Sequence, residues 1–198
     1  MITTRTTSLG PGRRLAKPQR REQLLDVAAE VLVDFGPAAI TMERVAEEAG
    51  VSKAIPYRHF DNATELLRAL HEREITHLGT RISQAVTAAS GPEAKLRAAI
   101  GVYFDVIAER GVLLGVLGRE IPPGSGAATI DGTGFVADLL SDTYDIGGKR
   151  ARILAEMILG ALLGAVTVWG RGDAVRARVQ ATATDAVLAM VAGVRGAS

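Results

Sequence analysis

Apolar residues recur at spacings of three and four through most of this chain, and that period predicts helices. Over Gln19–Phe35, Leu24, Leu25, Ala28, Leu32 and Phe35 form an inward stripe with Glu22, Asp26 and Glu30 between them, and Gly36-Pro37 stops it. Thr41–Phe60 reads as two short helices around a tight turn. Thr41 is an N-cap residue, and Val45, Ala46 and Ala49 make a small apolar stripe while Glu43, Arg44, Glu47 and Glu48 face outward. Gly50 ends the first of these helices in a positive-φ conformation, Val51 pins the turn, and Ser52 caps a second helix to about His59. Beyond Asp61 or Asn62, either of which can cap, Leu66, Leu67, Leu70, Ile75, Leu78, Ile82 and Val86 carry a stripe to about Ala89. That element is either one stiff lever, roughly twice the average helix length, or two pieces broken near Gly79.

Ser90-Gly91-Pro92 marks a boundary. Glu93–Arg110 follows as a helix with Leu96, Ala99, Ile100, Tyr103, Phe104 and Ile107 inward, then Gly111–Glu120 as a separate short helical piece. Ile121–Thr133, with two Pro and several Gly, reads as a loop, and Phe135–Tyr144 as a helix with Val136, Leu139 and Leu140 on one side. Gly147-Gly148 breaks it. Lys149–Trp169 is apolar nearly all round from Met157 onward, which predicts burial on more than one side. After a Gly170-Arg171-Gly172 turn, Asp173 is placed as N-cap of a last helix, Asp173–Gly193, which carries Val175, Val179, Ala183, Val187, Met190, Val191 and, just beyond it, Val194. No segment alternates as a strand does, and no repeat is present. The predicted class is all-α, in about nine helices.

Composition adds exclusions. Without cysteine there is no disulfide, thiolate chemistry or zinc-finger spacing. The longest uncharged apolar run, Met157–Trp169, is thirteen residues, short of the roughly twenty a bilayer span needs. Arg5 is followed by Thr, Ser, Gly and Pro rather than an apolar run, so the expectation is a cytoplasmic chain with no membrane partner. The net charge of +1 hides a local pattern: residues 1–21 hold six Lys/Arg and no acid, whereas residues 22–80 hold five against eleven Asp/Glu. Within that acidic stretch, residues 49–60 carry Lys53 and Arg58 and no acid. A basic arm plus one short basic helix suits a small contact patch on phosphates. Residues 1–18 show no periodicity and read as a flexible arm, either a solvated tail or a groove-binding segment in which Arg13, Arg14 and Lys17 are the candidates.

A short helix, a glycine turn and a second helix carrying Lys53, Tyr57, Arg58 and His59 are the outline of a DNA-binding helix-turn-helix. The residues carrying it are Thr41–Met42–Glu43–Arg44–Val45–Ala46, Ala49–Gly50–Val51–Ser52–Lys53, Tyr57–Arg58–His59–Phe60 and Glu65–Leu66–Leu67, after a helix ending Phe35-Gly36. In these motifs residues 20–70 resemble the DNA-binding domain of the TetR family of transcriptional regulators; the remaining 130 or so residues match only in helix number and length. The resemblance implies a helix-turn-helix domain over 19–64 and a ligand-binding and dimerisation domain over 65–198. It implies that the second helix of the motif enters the major groove, with Lys53 and Arg58 on phosphates or guanine edges, and Tyr57 and His59 on the backbone. Ser52 and Ala54 would let the backbone approach DNA, and Thr41 and Arg44 would lie near the helix N-terminus at a phosphate, although Thr41 reads equally as a plain cap and Phe60 as core. Two departures from the family stand out. Pro56 replaces a larger apolar residue, which predicts a tightened or slightly bent helix, and Ala63 replaces a lysine whose phosphate contact Thr64, Asn62 or the arm would supply.

The family further implies a homodimer through the last two helices, where small residues such as Ala161, Gly164, Ala165, Ala183 and Ala186, with Met190, would allow close approach. It also implies an effector pocket for which Tyr103, Phe104, Phe135, Tyr144, Glu156, Met157 and Trp169 are candidates. For each of these the alternative is ordinary core packing. No catalytic set, metal constellation or cofactor motif stands out, so no enzyme activity, metal or cofactor is expected. The partners expected are a double-stranded operator, a small-molecule effector and a second copy of the chain, in a ligand-responsive repressor. The contrasting reading is an all-helical small-molecule binding or catalytic protein whose helix-turn-helix is only structural.

Overall fold

The computed structural model describes residues 16–120 and 132–196. These form eight α-helices and one 3-10 turn, and the all-α class holds: α1 Lys17–Phe35, a 3-10 turn Pro37–Ala39, α2 Met42–Glu48, α3 Ala54–Tyr57, α4 Ala63–Ala88, α5 Pro92–Glu120, α6 Gly132–Tyr144, α7 Gly148–Gly170 and α8 Arg176–Gly196. The chain divides into two compact units, Met1–Leu66 and Leu67–Ser198.

In the first unit, α1 begins at Lys17 with Pro18 in its first turn, where a missing N–H costs nothing because no partner exists for it. Leu24, Leu25, Ala28, Val31 and Leu32 of α1 are buried, with Ile40, Met42, Val45, Ala46 and Phe60. Phe35, expected inward, is instead 57% exposed at the end of α1. The Gly36 N–H makes the last helical bond, to the Leu32 carbonyl at 3.1 Å, and Gly36 itself, at φ 79°, turns the chain out of the helix. Thr41 caps α2: its Oγ1 accepts from the Arg44 N–H at 3.1 Å. Gly50, at φ 63°, makes the turn, and the Val51 N–H returns to the Ala46 carbonyl at 3.0 Å.

The second helix of the motif is shorter than its sequence suggests. It spans one turn, Ala54–Tyr57, with Lys53 rather than Ser52 at the cap position. Pro56 is buried as the third helical residue, where a backbone N–H would have no intrahelical partner, so the roughly 3 kcal/mol interior cost does not arise. The turn closes tightly, with the Arg58 N–H on the Ile55 carbonyl and the His59 N–H on that of Pro56, each spanning three residues. Asn62 then caps α4: its Oδ1 accepts from the Glu65 N–H at 2.9 Å, and the Glu65 carboxylate accepts in return from the Asp61 N–H.

In the second unit, α4 runs past Gly79 without a break. α5 is one helix through Gly111, so the separate Gly111–Glu120 piece merges into it. α6 begins at Gly132, earlier than Phe135, and most of the expected loop, residues 121–131, lies outside the described residues. Leu96, Ile100 and Phe104 of α5, Leu140 of α6, Leu154, Ala155 and Ile158 of α7, and Val187 and Val191 of α8 meet in one core. The Tyr144 hydroxyl donates to the Pro92 carbonyl at 2.8 Å and ties the end of α6 to the start of α5. Glu74, buried on α4, accepts from Arg110 of α5 at 2.8 Å and from its neighbour Arg73 at 3.1 Å, which a buried carboxylate requires.

Two expectations for the last helices are corrected. α8 starts at Arg176, so Asp173 precedes rather than caps it and Val175 is exposed. α7 buries one face, not several: Ala151, Leu154, Ala155, Ile158 and Leu162 are inside, while Ile153 is 63% and Met157 55% exposed. By length and composition α7 is long and apolar enough to cross a membrane, which the thirteen-residue run alone does not suggest, although part of it packs into this core.

Candidate nucleic-acid interface

Four basic residues of the first unit act on one side chain. α1 carries Lys17, Arg20 and Arg21 at its start, and α3 ends at Tyr57 with Arg58 and His59 directly after it. The His59 imidazole is held below its usual pKa, first by burial and then by the positive charges of Lys17, Arg21, Arg20 and Arg58. Those four cations therefore all lie close enough to act on one ring, and they favour its neutral form. The Arg21 guanidinium lies over the Phe60 ring at 5.2 Å, and the Arg20 guanidinium donates to the Gln23 side chain, so both heads are held against the fold. An array of this kind is an electrostatic footprint for phosphates.

Of the residues proposed from sequence, Ser52, Lys53, Ala54 and Arg58 are exposed on or beside α3, Lys17 is exposed at the start of α1, and Thr64 is exposed in the first turn of α4. His59 is half-buried. Tyr57 is 52% exposed, and its hydroxyl donates to Glu43 Oε1 at 3.3 Å rather than standing unengaged for a phosphate. Partial desolvation, then the Glu43 charge and this bond, raise its phenol above the usual range and keep it protonated. Arg44 is turned away: its Nε pairs with Glu48 at 2.8 Å and its guanidinium covers the exposed Phe35 ring at 4.6 Å, so its charge is engaged within the unit. Arg13 and Arg14 lie outside the described residues. Arg20, Arg21 and Glu43 are not among the sequence candidates. The acid-free run over residues 1–21 contains the first two, but only the fold shows that they lie beside His59.

The second unit holds a cavity of about 120 Å³ between α4, α5, α6 and α7. Ile75, Leu78 and Ile82 of α4, Ile100 and Tyr103 of α5, Phe135 and Leu139 of α6, and Ile158 and Leu162 of α7 are among its walls. Tyr103 and Phe135 are the two sequence candidates that reach it, and burial raises the Tyr103 phenol above its usual pKa. The other five do not line it. Phe104 is wholly buried in the core, with the half-buried Trp169 against it at 6.2 Å between centroids. Tyr144 is spent on Pro92, Glu156 accepts from the Thr133 hydroxyl at 2.7 Å at the surface, and Met157 faces outward. Among the dimer candidates, Ala183 is buried within its own chain and Ala165 and Met190 pack on that core, while Ala161 is half-buried and Gly164 and Ala186 are exposed.

Comparison with known proteins agrees with this layout. Residues 24–70 match the family described as bacterial regulatory proteins, tetR family. The chain is 32% identical over 169 residues to the HTH-type transcriptional activator FasR of Mycolicibacterium smegmatis, covering 82% of this chain and 77% of that one. A protein of unknown function from Rhodococcus sp. RHA1 superposes with a TM-score of 0.74 at 26% identity, over 92% of this chain and 97% of the other. The transcriptional regulator FadR of Bacillus subtilis, solved in complex with stearoyl-CoA, has the same fold, with a TM-score of 0.64 at 18% identity over 87% and 98%.

Proposed function

Because this chain belongs to the tetR family of bacterial regulatory proteins and is a DNA-binding transcriptional regulator, we propose that it acts as a ligand-responsive homodimeric repressor on a pseudo-palindromic operator. The observation that carries this reading is that Lys17, Arg20 and Arg21 at the start of α1 and Arg58 after α3 all act on His59, with Lys53 and Arg58 exposed on or beside α3. α3 enters the major groove, Lys53 and Arg58 meet phosphates or guanine edges, and the start of α1 grips the flanking backbone. Two such heads read half-sites about one helical turn apart, roughly 34–36 Å. The exposed apolar face of α7 supports a second copy as partner, since a monomer gains nothing from leaving Ile153, Met157 and Leu163 in water.

The cavity supplies the response. With walls this apolar, its occupant is an apolar group, and 120 Å³ is close to the roughly 150 Å³ cavities that hold benzene. The stearoyl-CoA seen in the Bacillus subtilis neighbour is consistent with an apolar chain entering here. α4 lines the cavity and begins three residues after Phe60, so occupancy can bias the helix that follows the DNA-binding motif.

The test is a gel shift with the duplex upstream of the protein's own coding sequence. Lys53→Ala with Arg58→Ala should abolish the shift while the helical spectrum and sedimentation stay those of the wild type; undiminished binding by that double variant removes α3 as the reading helix. The FasR relative, named an activator, favours a second reading in which the bound dimer raises transcription. Transcription in vitro from the shifted duplex separates the two: repression lowers the product on adding the protein, activation increases it.

A further inference from the structure

A carboxylate stands beside the face that the basic residues offer to DNA. Glu43 is the second residue of α2, it is exposed, and its Oε1 accepts from the Tyr57 hydroxyl at 3.3 Å. Tyr57 lies one turn beyond Lys53 and Ala54, on the same face of α3. The bond therefore brings a negative charge from α2 to the surface that carries the candidate groove contacts. Among the described residues no cation pairs with Glu43, in contrast to Glu48 of the same helix, which holds Arg44 at 2.8 Å.

Against a phosphate such a charge repels. In the floor of the major groove it has a match, because the cytosine N4 amino group donates to a carboxylate. Adenine sets its N6 donor beside the N7 acceptor, an edge that suits an amide and repels a second lone pair. The Tyr57 hydroxyl occupies one carboxylate oxygen and leaves the other for a base.

We propose that Glu43 is a specificity-determining residue, reading a cytosine N4 amino group where α3 enters the major groove, with Tyr57 as the positioning residue that orients its carboxylate. The inference rests on α3 being the groove-facing helix. Its test is selection of binding sites from a randomised duplex library by the purified full chain. The wild type should enrich a motif with cytosine at a position that Glu43→Gln, an isosteric change that keeps an acceptor for Tyr57, converts to adenine, with preference shifting by about tenfold. Tyr57→Phe should weaken the cytosine preference at that position and leave the other positions alone. A Glu43→Gln protein that melts like the wild type and enriches the same base at every position overturns the assignment. If the wild-type chain enriches no motif, the groove-facing role of α3 fails first, and this inference fails with it.

Discussion

Among single residues, His59 reports most directly on the charge around the DNA-binding motif. Its pKa is pushed below the usual 6.5 by burial and by Lys17, Arg21, Arg20 and Arg58, and bound phosphates would offset those four charges. The imidazole pKa is then higher in the complex than in the free protein, so binding takes up a proton. Operator affinity should rise as pH falls from 8 through the region just below 6.5, by at most about tenfold per pH unit, the limit for one proton. Fluorescence anisotropy across that range checks this, and His59→Gln should flatten the profile. In the free protein the same shift works against folding: the stability present above pH 6.5 declines as pH falls below it, because the unfolded ring binds the proton more readily. Arg20 and Arg21 make a companion prediction. Replacing both with Ala should weaken binding to all sequences alike and reduce the slope of log affinity against log salt by up to about 1.8, or about 0.9 for each phosphate no longer neutralised. An unchanged slope would show that these side chains do not reach phosphates.

At the scale of elements, capping and turn chemistry fix where the motif begins and ends. Thr41 accepts from the Arg44 N–H, an otherwise unpaired donor of a helix only seven residues long. Thr41→Ala should cost about 1 kcal/mol, read as a lower urea midpoint with an unchanged slope. Periodicity locates α1, α2, α4 and the α7–α8 pair, because each buries one face at intervals of three and four residues. It misjudges ends and continuity for identifiable reasons. Gly111 reads as a break, yet it lies inside a helix anchored in the core on both sides, by Phe104 and by Leu117. Asp173 has the chemistry of a cap, but the chain needs Gly172 and further residues to complete its reversal before α8 starts at Arg176.

At the scale of the whole molecule, the exposed apolar face of α7 is the surface that the proposed second copy would cover. Ile153→Asp together with Met157→Asp should give a protein that sediments as a monomer and binds a full operator weakly, while its helical content is unchanged. A double variant that still sediments as a dimer would rule out this face as the dimer interface.

The all-α class and the helix-turn-helix were legible in the sequence because both depend on local rules: helical period, a threonine cap, a positive-φ glycine, and a short stretch bearing Lys53 and Arg58 without acids. The tertiary structure decided what depends on distance between segments. It brought Arg20 and Arg21 of α1 to His59, turned Arg44 onto Phe35 and Glu48, and gave Glu43 to Tyr57. It also sorted the aromatic residues, sending Tyr103 and Phe135 to the cavity and Phe104 and Trp169 to the core. A side chain's type fixes what it can bond to, but only packing fixes which partner lies within reach.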